Sequence, residues 1–267
     1  MRKPRWSEQD KADFERMYTS SSIAEIMERF PNRSWEALKR RGHYRGLPLS
    51  RKNYNCDLTP LLDGSNESSY WLGFLLADGH FSRGAVVLEL SQKDQHHIEK
   101  FCKFIGYPLT SVYSRTREVF GGHFPTVCVR ATHKSVVDRL TTHFNISSKK
   151  TKTPPNLSSL SDPQLLCLLI GFIDGDGAIC HRKDGSSLIS LELDPSWLPM
   201  LTNFLLLLNR SGLTTESTAV LYTRKNTGKT FSRLQMSNHK FFTGLRQKIE
   251  LLELPIMRRK WYPEIAS

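Results

Sequence analysis

Apolar and polar positions follow three successive patterns along this chain. In residues 1–52, Trp6, Phe14, Ile23, Ile26, Phe30, Trp35 and Leu38 fall where three short amphipathic helices would bury them in one small core. Ser7 with Asp10, and Ser22 with Glu25, read as helix N-termini in which a side-chain oxygen and a carboxylate satisfy the first free N–H groups. Phe30-Pro31 ends the second helix, and Ser34 caps a third over 35–41, which Gly42 is expected to stop.

Two longer halves follow. Residues 53–66 are polar and read as a linker, and 147–162, with Lys149, Lys150, Lys152 and the pair Pro154-Pro155, as an extended connector. Residues 67–146 and 163–267 repeat one pattern: an apolar helix, two alternating strands, a helix, two more strands and a helix. In the first half the periodicity places a strand at 85–90, a helix at 94–105, strands at 112–119 and 124–131, and a helix at 135–144. In the second it places a strand at 188–193, a helix at 199–208, strands at 219–224 and 230–236, and a helix at 240–251. The segment WLGFLLADG at 71–79 returns as LIGFIDGDG at 169–177, 98 residues on. Val87 to Leu90 is echoed at Ser190 to Leu193, and Thr132 to Lys134 at Asn238 to Lys240, the latter pair 106 residues apart. The fold class is α+β, two pseudo-symmetric αββαββα repeats preceded by a three-helix domain.

Composition narrows the partner. The 267 residues hold 38 Lys and Arg against 26 Asp and Glu, a net charge of +12 that favours a polyanion, nucleic acid ahead of a membrane surface. With 39% hydrophobic residues the chain is neither disordered nor fibrous. The longest apolar run, 165–173, is about half a membrane span, and no apolar signal-peptide core follows the basic N-terminus. Five cysteines without finger spacing favour reduced thiols and so a cytoplasmic protein, which the net charge would associate with DNA.

The repeated segment carries the candidate chemistry. Gly73 with Ala77, and Gly171 with Gly175, put small residues one turn apart, so two helices can approach backbone to backbone. Each helix then ends in Asp-Gly. Gly79 and Gly177 suit a left-handed helix terminus, but Asp78 and Asp176 face the negative end of the helix dipole, a cost of about 0.3–1 kcal/mol each. If the helices pair, the two carboxylates also repel each other, and a shared Mg²⁺ would compensate.

These two segments resemble the paired motifs of LAGLIDADG homing endonucleases, and the likeness spans roughly residues 67–262. The resemblance implies a monomeric, saddle-shaped nuclease that cuts both strands of double-stranded DNA with Mg²⁺ or another divalent cation and leaves short 3′ overhangs. Asp78 and Asp176, with Gly79 and Gly177 beside them, would hold the metal. Asp174 stands at the motif's earlier acidic position, which Leu76 fills in the first copy. Gln92, at the end of a strand, matches a position that orders water, and the second half departs from the pattern by offering Asp194 there. Lys134 and Lys240 resemble the family's active-site lysines, and the neighbouring His133 and His239 read as phosphate or surface contacts. The scaffold also serves non-cleaving DNA-binding regulators and RNA maturases, which stand as alternatives.

DNA contacts fall on two surfaces. Residues 1–55 hold 13 basic and 7 acidic residues, half the net charge in a fifth of the chain. The Trp6 opening and the Arg33-Ser34-Trp35 entry to a basic helix resemble a Myb-like helix-turn-helix, with Arg33, Lys39, Arg40 and Arg41 against phosphates. In the repeats, Arg115, Arg117 and Arg130, and Arg182, Arg224, Arg233 and Gln235, are the side chains placed to contact DNA, since Arg and Gln can read base edges bidentately.

Overall fold

The N-terminal helices start where the caps put them. In a computed structural model, which describes residues 6–47, 56–119, 121–147, 149–182, 186–213 and 216–262, α1 spans Glu8–Ser20, α2 Ile23–Arg29 and α3 Trp35–Tyr44. Arg2, Lys3, Arg5 and the first residues of the expected 53–66 linker lie outside the described residues. Capping boxes close at Ser7 with Asp10 and at Ser22 with Glu25, and Ser34 Oγ accepts from the Ala37 N–H. Phe14, Tyr18, Ile26, Phe30 and Leu38 form the core of this unit, with Trp6 and Trp35 packed on it. One boundary differs from expectation: α3 runs through Gly42. There the missing Cβ makes room for the Tyr18 ring, which would lie 2.2 Å away. The left-handed terminator is Gly46, at φ +66°.

Residues 56–267 form a second unit, described by itself. Its first repeat contains α4 Asn66–Ala77, β1 Gly79–Ser82, β2 Ala85–Ser91, α5 Gln95–Phe104, β3 Tyr113–Val119, β4 Gly122–Thr132 and α6 Lys134–His143. The second contains α7 Asp162–Asp176, β5 Ala178–His181, β6 Ser187–Leu193, α8 Leu198–Arg210, β7 Glu216–Thr223, β8 Thr230–Ser237 and α9 His239–Leu251, and a short α10, Arg258–Trp261, follows. The sheets have equivalent orders, β1-β2-β4-β3 and β5-β6-β8-β7, with every pairing antiparallel. Strand alternation decides their faces. Val86, Leu88, Leu90, Val127, Val129 and Ala131 are buried on one side of the first sheet, and Ile189, Leu191, Leu234 and Met236 on one side of the second. The opposite faces carry Glu89 and Glu192.

The motif helices α4 and α7 pack on each other at the centre. A Cβ on Gly73 would stand 1.9 Å from the Leu168 carbonyl oxygen, and one on Gly171 2.0 Å from that of Tyr70. The small residues one turn apart therefore let the two helix backbones touch, as their spacing predicts. Gly79 and Gly177 are not left-handed terminators: neither has a positive φ, and Gly177 is extended, at φ −76° and ψ 142°. They are needed because the chain doubles back so tightly that a Cβ would meet the carbonyl oxygen of Leu75 at 2.7 Å or of Ile173 at 2.5 Å. The connector between repeats is pinned rather than loose. Trp197 Nε1 donates to the Thr151 carbonyl at 3.1 Å and Ser196 Oγ to that of Lys152 at 2.9 Å.

Candidate active site and nucleic-acid interface

Because α4 and α7 pair through their glycine faces, their C-termini emerge side by side and bring Asp78 and Asp176 together. Each carboxylate keeps one side open to solvent while protein packs behind the other. Burial, then the charge of Asp176, push Asp78 up to about 6, with Asp94 adding to the effect and Lys260 and Lys150 opposing it. Burial likewise raises Asp176, against the pull of Lys150 and Lys260.

Those two lysines cap the ends of the motif helices. Lys150, from the connector, donates to the carbonyls of Leu76 at 2.5 Å and Ala77 at 2.6 Å, the end of α4. Lys260, from α10, donates to the carbonyls of Asp174 at 2.5 Å, Gly177 at 2.9 Å and Gly175 at 3.1 Å, the end of α7. Burial lowers both ammonium groups, and the aspartates oppose that shift. The dipole cost read from the sequence as a reason for Mg²⁺ is thus met first by cations of the chain itself.

The expected lysines stand elsewhere. Lys134 follows Thr132, which pairs with Ala85 at the β1–β2 turn, whereas Asp78 enters β1 at its other end. Four strand residues separate the two ends, roughly 13 Å. Lys134 ion-pairs with Asp138 and is 80% exposed. Lys240 is placed equivalently, just past Ser237, which pairs with Leu188 near the β5–β6 turn. Strand direction, invisible in the repeat alignment, puts both at the wrong end. His133 and His239 lie beside them.

Gln92 opens the turn after β2 and is exposed. Two residues on, buried Asp94 holds Arg259 through two contacts, at 2.5 and 2.8 Å. Asp194 does not match Gln92: Asp194 caps the turn after β6 as Ser91 does after β2, Pro195 stands where Gln92 does, and the Asp194 carboxylate accepts from the Ser196 N–H at 3.0 Å. With Asp176, Glu192 and Trp197 it lines a cavity of about 220 Å³. Asp174 is 1% exposed and faces away from this surface. Among the described residues no cluster of three or more His, Cys, Asp or Glu is placed to hold a metal ion. Asp78 and Asp176 are two oxygen donors whose charges still disfavour each other, and the Gly177 carbonyl is engaged by Lys260. Such a sparse set fits Mg²⁺, which retains several waters.

The open sheet faces present arginines around a carboxylate. Glu89 pairs with both Arg115 and Arg117 and accepts from Thr126 Oγ1 at 2.7 Å. Arg115 foremost, against some burial, holds Glu89 down to about 2. In the second sheet Glu192 pairs with Arg224 at 2.5 Å and Arg233 at 2.6 Å, and Arg233 stacks 3.5 Å over the Tyr222 ring. Partial burial raises Glu192, but the two arginines outweigh it and leave it below its usual range. Arg130 and Gln235 share these faces, and Arg182 is exposed where β5 leads into its turn. In the N-terminal unit, Lys39 and Arg40 are exposed, whereas Arg33 and Arg41 lie 4.2 and 4.0 Å from the Trp6 ring. Those two stack on an aromatic residue of their own unit, which helical spacing alone does not show.

Lys150, Lys260, Asp94 and Arg259 were not singled out from sequence. One signal existed: Lys150 and Lys260 are 110 residues apart, continuing the drift of the repeat from 98 to 106.

No family model and no curated protein matches the chain. Solved structures similar to it include two variants of the homing endonuclease I-DmoI. A mesophilic variant of the homing endonuclease I-DmoI aligns over 71% of this chain and 96% of its own, at 15% identity and a TM-score of 0.42. A variant of I-DmoI in complex with its nicked target DNA in the presence of manganese aligns over 72% and 95%, at 16% identity and a TM-score of 0.39. Among the described residues no helix is long and apolar enough to cross a membrane.

Proposed function

We propose that this chain is a site-specific endonuclease that binds double-stranded DNA as a monomer across its two sheet faces and hydrolyses one phosphodiester bond in each strand. The observation that carries this reading is the junction of α4 and α7. Glycine-on-backbone packing delivers two aspartates to one point, with Lys150 and Lys260 at the same helix ends. A purely structural helix pair has no use for two like charges whose ionised forms burial disfavours.

Asp78 and Asp176 would hold Mg²⁺ or another divalent cation, which when bound supplies activation of water and stabilisation of the leaving oxygen. The ammonium groups of Lys150 and Lys260 add positive charge where a phosphate's negative charge grows during attack, and their helix-end anchors keep that charge fixed. Gln92, just after β2, and Asp194, which caps the turn after β6, position solvent. Arg115, Arg117 and Arg130, and Arg224, Arg233 and Gln235, read base edges and grip phosphates, with Arg182 adding a backbone contact. The three-helix unit is a helix-turn-helix module that adds phosphate contacts through Lys39 and Arg40.

Selection of duplexes from a randomised library by binding, followed by cleavage of the selected duplex with Mg²⁺, tests this reading. The wild-type chain cuts both strands, and Asp78→Asn and Asp176→Asn each lose about a thousandfold or more. Binding without nicking by the wild type in Mg²⁺ or Mn²⁺, or undiminished cutting by both variants, overturns it.

A further inference from the structure

Asp174 is the one motif carboxylate that the proposed chemistry does not use. It is 1% exposed, and protein fills its coordination: Tyr70 Oη–H donates at 2.6 Å, the Met257 N–H at 2.9 Å and Trp261 Nε1–H at 2.6 Å. It therefore cannot touch DNA. Two of its three donors flank α10, one before it and one at its end, and Lys260 lies between them. Trp261 is fully buried and stacks on Phe242, with ring centroids 5.8 Å apart and planes within 14°. One carboxylate thus fixes both ends of the turn that carries Lys260, whose amine reaches back to the carbonyl of Asp174 itself.

The first repeat lacks this device. Leu76 stands in the equivalent place, buried in the core, and its helix end receives Lys150 from the connector, held by Trp197 and Ser196. The two lysines come from corresponding segments, each after the last helix of its repeat, but are anchored by different contacts.

We propose that Asp174 is a positioning residue for Lys260, so that cleavage of one DNA strand depends on Asp174 and cleavage of the other does not. The strand consequence rests on the endonuclease reading, because a two-fold-related protein sets one half against each strand of a duplex. The positioning itself rests on the hydrogen bonds alone.

Two measurements on the full chain separate these parts. The first is amine acylation followed by mass spectrometry. In the wild type Lys260 labels slowly against exposed Lys240, and in Asp174→Asn its rate rises about tenfold, the size expected when a hydrogen-bonded anchor is lost. The second is single-turnover cleavage of duplex labelled on either strand. Lys260→Met slows one strand at least about tenfold relative to the other. Asp174→Asn slows the same strand, and the double variant is no slower than Lys260→Met. Trp261→Phe, which removes one donor and keeps the ring, shifts the strand ratio the same way and serves if Asp174→Asn does not fold. Unchanged Lys260 labelling in a folded variant overturns the positioning role. Equal slowing of both strands, or independent effects in the double variant, overturns its catalytic consequence. A wild type that labels as expected but cuts neither strand sinks the endonuclease reading and leaves the anchor standing.

Discussion

The carbonyl oxygen of Leu168 lies 1.9 Å from where a Cβ on Gly73 would be, so α4 and α7 meet at a distance only glycine permits. The obstructing atoms are helix backbone, which cannot swing aside as a side-chain tip can. Gly73→Ala and Gly171→Ala should each cost about 3 kcal/mol, the upper end for overpacking, and part the two aspartates. Chemical denaturation checks the first effect, and loss of Mg²⁺-dependent cleavage at a temperature where the variant stays folded checks the second.

Asp78 titrates at about 6 in the folded chain against an ordinary 3.8. Between those values the native state binds more protons than the unfolded one. This group's contribution to stability is therefore complete below pH 3.8 and lost as pH rises to 6. In Asp78→Asn that loss disappears, so without divalent cations the variant should be the more stable protein at pH 7.5, by roughly 1 kcal/mol after solvent screening. Wild-type cleavage, which needs the ionised form, should fall about tenfold per pH unit below 6. A urea series at pH 4 and 7.5 and a pH–rate profile measure the two.

Lys150 and Lys134 make a paired test of the corrected assignment. Lys150→Met removes a cation from the end of α4, and cleavage should drop about a hundredfold or more, with a stability loss of about 1 kcal/mol. Lys134→Met and Lys240→Met, at the far ends of β1 and β5, should leave the single-turnover rate within about twofold, the scale of a remote surface change. A large loss in either of the latter would return the active-site role to those positions.

What was legible in the sequence was local. Caps such as Ser22 with Glu25 need only four residues, and Gly73 with Ala77 marks one face of one helix, so both could be read from spacing. Gly79 and Gly177 were legible as required glycines but not for the right reason, because a left-handed φ and a tight reversal ask for the same residue. Lys150 and Lys260 were hidden because they come from segments with no periodicity and reach their helix ends across 73 and 83 residues of chain. The stacking of Arg41 on Trp6 was not legible because it is set by tertiary folding.

Glu89 holds Arg115 and Arg117 on the open face of the first sheet. Under the proposed function its carboxylate would offset part of the charge that attracts any duplex, and it fixes two guanidinium planes in the free protein. Glu89→Gln should raise affinity for unrelated DNA and steepen the salt dependence by about one unit of slope, while base preference under this sheet relaxes. Binding titrations across a salt series and a repeat of the duplex selection check both parts.

In the N-terminal unit the basic residues differ in their surroundings. Arg33 and Arg41 stack on Trp6, so Arg41→Ala should destabilise the unit, by about 1 kcal/mol for a half-buried cation–π contact, and weaken DNA binding only through that loss. Lys39 and Arg40 are exposed on the same helix, and Lys39→Ala with Arg40→Ala should leave the melt unchanged. Each lost phosphate contact should instead flatten the salt dependence of DNA affinity by about one unit of slope. Deleting residues 1–52 removes both contributions at once. An unchanged salt slope in the deleted chain would show that this unit does not contact the DNA backbone.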